Sequence, residues 1–128
     1  MMNYWIFIAG LIGLFTTAIH IFAGQIEPVK PFLTTNLDNV SKATLLACWH
    51  IVSVTLLTTS GLLTFAGWFD TAQYSMLVFM IGLLYCLYSL VFIGIGIYFF
   101  KAKALMKLPQ WVLLLPIGLL AIIGSVEF

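Results

Sequence analysis

Four long apolar runs separated by short polar stretches set the pattern of this chain. They cover roughly residues 3–24, 42–67, 73–100 and 111–126. None shows the alternation of apolar and polar positions that a half-buried strand needs, so the pattern predicts helices. About 20 helical residues cross a hydrocarbon core of about 30 Å. Each run is therefore read as one crossing. A β-barrel would show shorter segments of period two. The expected fold is all-α, an integral membrane bundle of four transmembrane helices, with residues 1–128 forming a single domain.

The polar breaks refine the picture. The longest, "QIEPVKPFLTTNLDNVSK", carries Pro28 and Pro31, which lack the donor a helix interior needs and stop the first helix. Ser41, or Asp38 just before it, is placed to cap the second helix. The break "GWFDTAQ" is short, so spans two and three are expected to be antiparallel neighbours. The third, "KAKALMKLPQW", is basic and amphipathic enough to lie along an anionic lipid surface, or simply to set topology. The first run has no basic segment before it and no small-x-small site after it, and reads as an uncleaved span.

Composition agrees with a bilayer as solvent. The chain has 128 residues, 63% hydrophobic and 7% charged, where a soluble domain carries about 25% charged residues. A net charge of +1 and the lack of arginine argue against nucleic acid. Lys30, Lys42, Lys101, Lys103 and Lys107 all fall on one side of the predicted spans, while Asp70 and Glu127 fall on the other. The positive-inside rule then places the lysines in the cytoplasm and both termini on the non-cytoplasmic side. Trp5, Trp68 and Trp111 suit aromatic belts at the two interfaces.

Small residues let helices approach in lipid. Gly13, Thr16, Thr17, Ala23 and Gly24 mark such a face near His20. Ala43, Ala47, Ser53, Ser60 and Gly61 do so around His50. Gly82, Cys86, Ser89 and Gly96 mark the third span, and Gly118, Ala121 and Ser125 the fourth, where Pro116 is able to introduce a kink. Both histidines are expected to point into the bundle.

His20 lies about 10 Å of helix before Glu27, and His50 about 12 Å after Lys42, so the two imidazoles reach similar depth in the cytoplasmic leaflet. An ionisable side chain inside a membrane is a functional hypothesis by default. Two neutral imidazoles suit a transition metal, with Glu27 as a third ligand, or a haem held without covalent attachment. Gly94 and Gly96 would make room for a porphyrin, with Tyr98 at the same depth and lysines for the propionates. A quinone or proton-relay site would use the histidines as donor and acceptor. The competing reading is structural: each histidine hydrogen-bonds Thr16, Thr17, Ser53 or a carbonyl, and the chain is a non-catalytic subunit or scaffold that packs as a homo-oligomer or in a larger membrane complex. Whether the chain is an enzyme stays open.

Other activities find less support. Cys48 and Cys86 fall at different depths, too far apart for a disulfide. Proton-coupled drug export needs an acid inside a span, and none is there. No span carries a polar stripe wide enough for a channel. A hydrolase would need a nucleophile with a base and an acid at one depth.

The segments "HIFAG" (20–24), "CWH" (48–50) and "LPQWVLLLPIG" (108–118) resemble those of a group of small four-helix bacterial inner-membrane proteins, over nearly the whole chain. The resemblance implies the fold and a multi-pass place in the bacterial inner (cytoplasmic) membrane. That group has no assigned activity, so no site residue is carried across.

Overall fold

The computed structural model describes residues 1–69 and 72–127. Among these, every regular element is helical. In chain order they are α1 (Tyr4–Gly24), α2 (Lys30–Thr34), α3 (Asn39–Phe69), α4 (Ser75–Phe100), α5 (Ala104–Lys107) and α6 (Trp111–Ser125). Asp70, used in the charge argument, lies outside the described residues.

The stretches Tyr4–Thr34, Asn39–Phe69 and Ala72–Lys107 are each long and apolar enough to cross a membrane. The fourth apolar run makes a shorter helix. The 15 residues of α6 span about 22 Å at 1.5 Å per residue, less than a hydrocarbon core of about 30 Å. Outward-facing side chains are mostly large and apolar, Phe15, Phe22, Val54, Leu90 and Phe99 among them. Monomeric soluble proteins rarely expose such continuous patches, whereas lipid accepts them. The chain is a helical membrane protein.

Local chemistry explains the breaks. Asn3 caps α1, its side-chain oxygen accepting from the Ile6 amide at 3.2 Å. At the other end of α1, Glu27 takes extended angles (φ −140°, ψ 120°) ahead of Pro28, as the residue before a proline is biased to do. The Glu27–Pro28 bond is cis, and Pro31 then sits in the first turn of α2. Asp38 is the residue that caps α3. It accepts from the Ser41 amide at 3.0 Å and from the Ser41 hydroxyl. After α4, Lys101 adopts φ +49° and the chain folds back through Lys101–Lys103 into α5.

Around the bundle the helices run α3, α1, α6, α4, with extensive contact at each of those three seams. Glycine makes the close approach possible. A Cβ on Gly13 would overlap the Ser60 hydroxyl, and one on Gly67 would overlap the Phe7 backbone, so α1 and α3 touch nearly backbone to backbone. Gly82 and Gly118 do the same for α4 and α6. A Cβ on either would lie within 2.9 Å of the other's carbonyl oxygen. The expected neighbours α3 and α4 come close over only a short stretch of backbone. They are joined by a side chain instead: the Tyr85 hydroxyl lies 2.9 Å from Thr59 Oγ1 and 3.1 Å from Ser60 Oγ. Thr59 directs its proton to the Thr55 carbonyl at 2.7 Å, so Tyr85 donates to Thr59 and accepts from Ser60. Around this clasp pack Ile6, Leu56, Leu63, Ile81, Leu114 and Ile117.

Asn3 also fixes the relation of the ends. Its amide donates to the Gly67 carbonyl at 2.9 Å and its side chain to the Gly124 carbonyl at 3.0 Å. The start of α1 and the ends of α3 and α6 therefore meet at one pole. All five lysines belong to elements at the opposite pole.

Candidate functional site

At the lysine pole α1, α3, α4 and α6 line a cavity of about 470 Å³. Its wall is mostly apolar: Ile19 and Ala23 from α1, Val52 and Leu56 from α3, Val91 and Phe92 from α4, Leu113 and Leu114 from α6. The polar side chains in it are Thr16, His20, Glu27, Tyr88 and Gln110. Ligand pockets commonly hold about 300–1,000 Å³ and combine an apolar wall with a few convergent polar groups.

His20 is held by an aromatic partner. The Trp49 indole stacks on the imidazole with centroids 3.9 Å apart and planes 14° from parallel. Gly24, one turn after His20, supplies the space, because a Cβ there would overlap the indole. Three residues thus form one unit: His20 and Gly24 on α1 and Trp49 on α3. The hydroxyls near His20 in sequence are committed elsewhere. Thr16 and Thr17 donate to the carbonyls of Ile12 and Gly13, each at 2.8 Å, and Ser53 to that of Trp49 at 3.1 Å. His20 Nε2 is enclosed and has no hydrogen-bond partner among the described residues. Enclosing a polar nitrogen in this way costs about 1–3 kcal/mol, so the ring keeps hydrogen-bonding capacity that its neighbours do not use.

The other sequence-derived site residues are dispersed. His50 is exposed and is not part of the cavity wall. The expected facing of His20 and His50 is replaced by the stack of His20 on Trp49. The reason is helical phase, since one residue turns about 100° around the axis and α3 packs through Leu56, Ser60, Leu63 and Gly67. Trp49 shares that face, while His50 falls with Ala43, Ala47 and Gly61 on the outer one. Gly94 is also on the outside, with nothing within 4 Å of where a Cβ would stand. Tyr98 is 81% exposed. Gly96 is buried, but against Ala104 of α5 rather than in the cavity. Glu27 does reach the cavity wall, at its lysine-pole end. Among the described residues no three histidine, cysteine or acidic side chains are grouped to hold a metal.

Sequence reasoning passed over Trp49 and Gln110 as cavity residues, while Tyr88 is a mid-span tyrosine able to donate to a ligand or to serve as a packing aromatic. The available signal was the glycine one turn after His20, which asks for a bulky partner across the helix pair. Both cysteines are free, Cys48 exposed and Cys86 half-buried. No protein-family model, curated protein or solved structure matches this chain.

Proposed function

We propose that this protein binds one lipid-soluble molecule, of the quinone class, in the cavity beside His20. The observation that carries the reading is an ionisable side chain with unused hydrogen-bonding capacity in the wall of a ligand-sized apolar cavity. Of the ligands that two membrane histidines suggest, a haem held by two imidazoles asks for His50, which is outside the cavity wall, and a metal ion asks for a group of three donors, which is not found among the described residues. A quinone needs only a donor or acceptor for a ring carbonyl or hydroxyl, together with an apolar surround. His20 supplies the first, and Tyr88 or Gln110 a second. On this reading the protein is a quinone-binding membrane component, alone or within a larger complex.

The reading includes four crossings with both termini outside. The supports are the pole that unites Asn3 with Gly124, the five lysines at the other pole, and the positive-inside rule. The short α6 is accommodated by the belt residue Trp111, whose indole donates to the Leu105 carbonyl at 3.1 Å and so ties α6 to the interfacial segment. The cavity then lies in the cytoplasmic leaflet of a bacterial inner membrane. A cysteine replacing Lys103 should react with an impermeant maleimide only from the cytoplasmic face. Labelling from outside the cell would reverse the orientation.

The binding test uses purified protein in lipid nanodiscs, titrated with a short-tailed benzoquinone. Quenching of tryptophan fluorescence should saturate, and should lose its saturable part in Trp49→Phe. His20→Ala should weaken binding about tenfold, the equivalent of one hydrogen bond of about 1.4 kcal/mol. Equal affinity in His20→Ala would remove the assigned role of the imidazole. The scaffold reading predicts no saturable quenching in any variant.

A further inference from the structure

Three of the four seams of the bundle carry extensive contact, and the fourth does not. Gly13 and Gly67 bring α1 against α3, and Gly82 and Gly118 bring α4 against α6. Between α1 and α6, a Cβ on Gly124 would lie 3.0 Å from the Asn3 side-chain oxygen. Between α3 and α4 the long contact is missing, and the Tyr85 clasp is the hydrogen-bonded link across that seam among the described residues. Toward the lysine pole the seam opens onto the cavity. Val91 lies six residues beyond Tyr85 on α4, and Val52 eight residues before Ser60 on antiparallel α3. These offsets are about 9 Å and 12 Å of helix, so the two valines stand at nearly the same depth. Both line the cavity, yet Val52 is 42% and Val91 56% exposed. Residues that belong to a cavity wall and to the outer surface at once mark a lateral opening, and here that opening faces lipid.

The polar groups limit what passes through it. The cavity wall has one carboxylate, Glu27, and no lysine. An anionic head would meet like charge with no cation in the wall to offset it. An uncharged head would not.

We infer that the site takes a molecule with an uncharged head and a long flexible apolar tail, which reaches the cavity sideways from the bilayer between Val52 and Val91 and leaves its tail in lipid. This rests on the cavity being a ligand site. It goes further by specifying the tail and the route. A tail that stays in the seam adds nothing to the volume the cavity must enclose, so affinity depends on the head alone.

The test compares two benzoquinones with the same head, one carrying a single isoprene unit and one carrying ten, in phosphatidylcholine nanodiscs. Affinity is expressed as mole fraction in the lipid. In the native chain the two should agree within about threefold, since equal head contacts give equal free energies. Val91→Trp narrows the seam. It should weaken the long-tailed probe about tenfold or more beyond whatever it costs the short-tailed probe, the added steric penalty falling on the molecule that must occupy the seam. Exclusion of the long-tailed probe from the native chain, or equal effects of Val91→Trp on both, would overturn the lateral route while leaving the site intact. Failure of both probes to bind the native chain would overturn the site itself.

Discussion

At the residue scale, a glycine is what lets the two rings of His20 and Trp49 stack between α1 and α3. The indole covers one face of the imidazole, and Gly24 removes the side chain that would push it away. Asn3 has comparable weight at the other pole, where one side chain caps α1 and reaches α6. Asn3→Ala should lower stability by about 1–2 kcal/mol, combining a lost cap with a lost interhelical bond. Unfolding in a fixed detergent measures it, and no change would show that water replaces both bonds. Asp38 carries a pH dependence. The Ser41 hydroxyl, and then the Ser41 amide, hold its carboxyl below the ordinary carboxylate range. Because the folded value is depressed, the cap is fully present above the unfolded value, about pH 4, and is lost as pH falls through the lower folded value. The Ser41 amide resonance should therefore stay constant from pH 7 to 5 and shift only below about pH 4. Asp38→Asn should abolish that shift.

Which residues were legible in the sequence follows from the same contacts. His20 and Glu27 were found because charge is rare in apolar runs and therefore conspicuous. Trp49 was not, since a tryptophan among apolar residues carries no polarity signal. His50 was expected opposite His20 because depth can be counted at 1.5 Å per residue, whereas the face of α3 that packs was read from small residues alone. Gly94 and Tyr98 were misplaced by the same route: they match the lysine-pole depth, but α4 turns them outward.

At the element scale, the long apolar runs translated into α1, α3 and α4 with ends shifted by a few residues, and the prolines of the first loop ended α1 as their chemistry requires. The fourth run made a helix of 15 residues. Small residues alone did not reveal which stripe packs. On α3, Ser60 and Gly61 are adjacent, yet Ser60 meets Gly13 whereas nothing lies within 4 Å of a Cβ on Gly61. This gives a paired prediction. Gly118→Leu should destabilise the bundle by about 2–3 kcal/mol by forcing α4 and α6 apart. Gly61→Leu on the open face should stay within about 0.5 kcal/mol. Thermal unfolding of both variants in one detergent decides it. Equal effects would mean that the α4–α6 contact is not the tight one described here, or that Gly61 is covered by another molecule.

At the scale of the whole molecule, three extensive seams and one slight seam make a bundle closed on one side and loosely joined on the other. The extensive seams hold α1, and with it His20, against α3 and α6. The slight one gives the proposed route from the bilayer to the cavity beside His20, and on the proposed topology the lysines at the same pole set the side of the membrane on which that cavity lies. The asymmetry follows from where glycine is placed: α1–α3 and α4–α6 have it at their contacts, and the α3–α4 seam has a tyrosine clasp.

The most direct test of the account is native mass spectrometry of the protein released from nanodiscs made with native membrane lipid. The native chain should retain one uncharged, long-tailed molecule per chain, with a quinone absorption spectrum after solvent extraction, and His20→Ala should lose most of it. A native chain that retains no such molecule, or a His20→Ala variant that retains as much as the native chain, would contradict the central claim that His20 and its cavity form a ligand site.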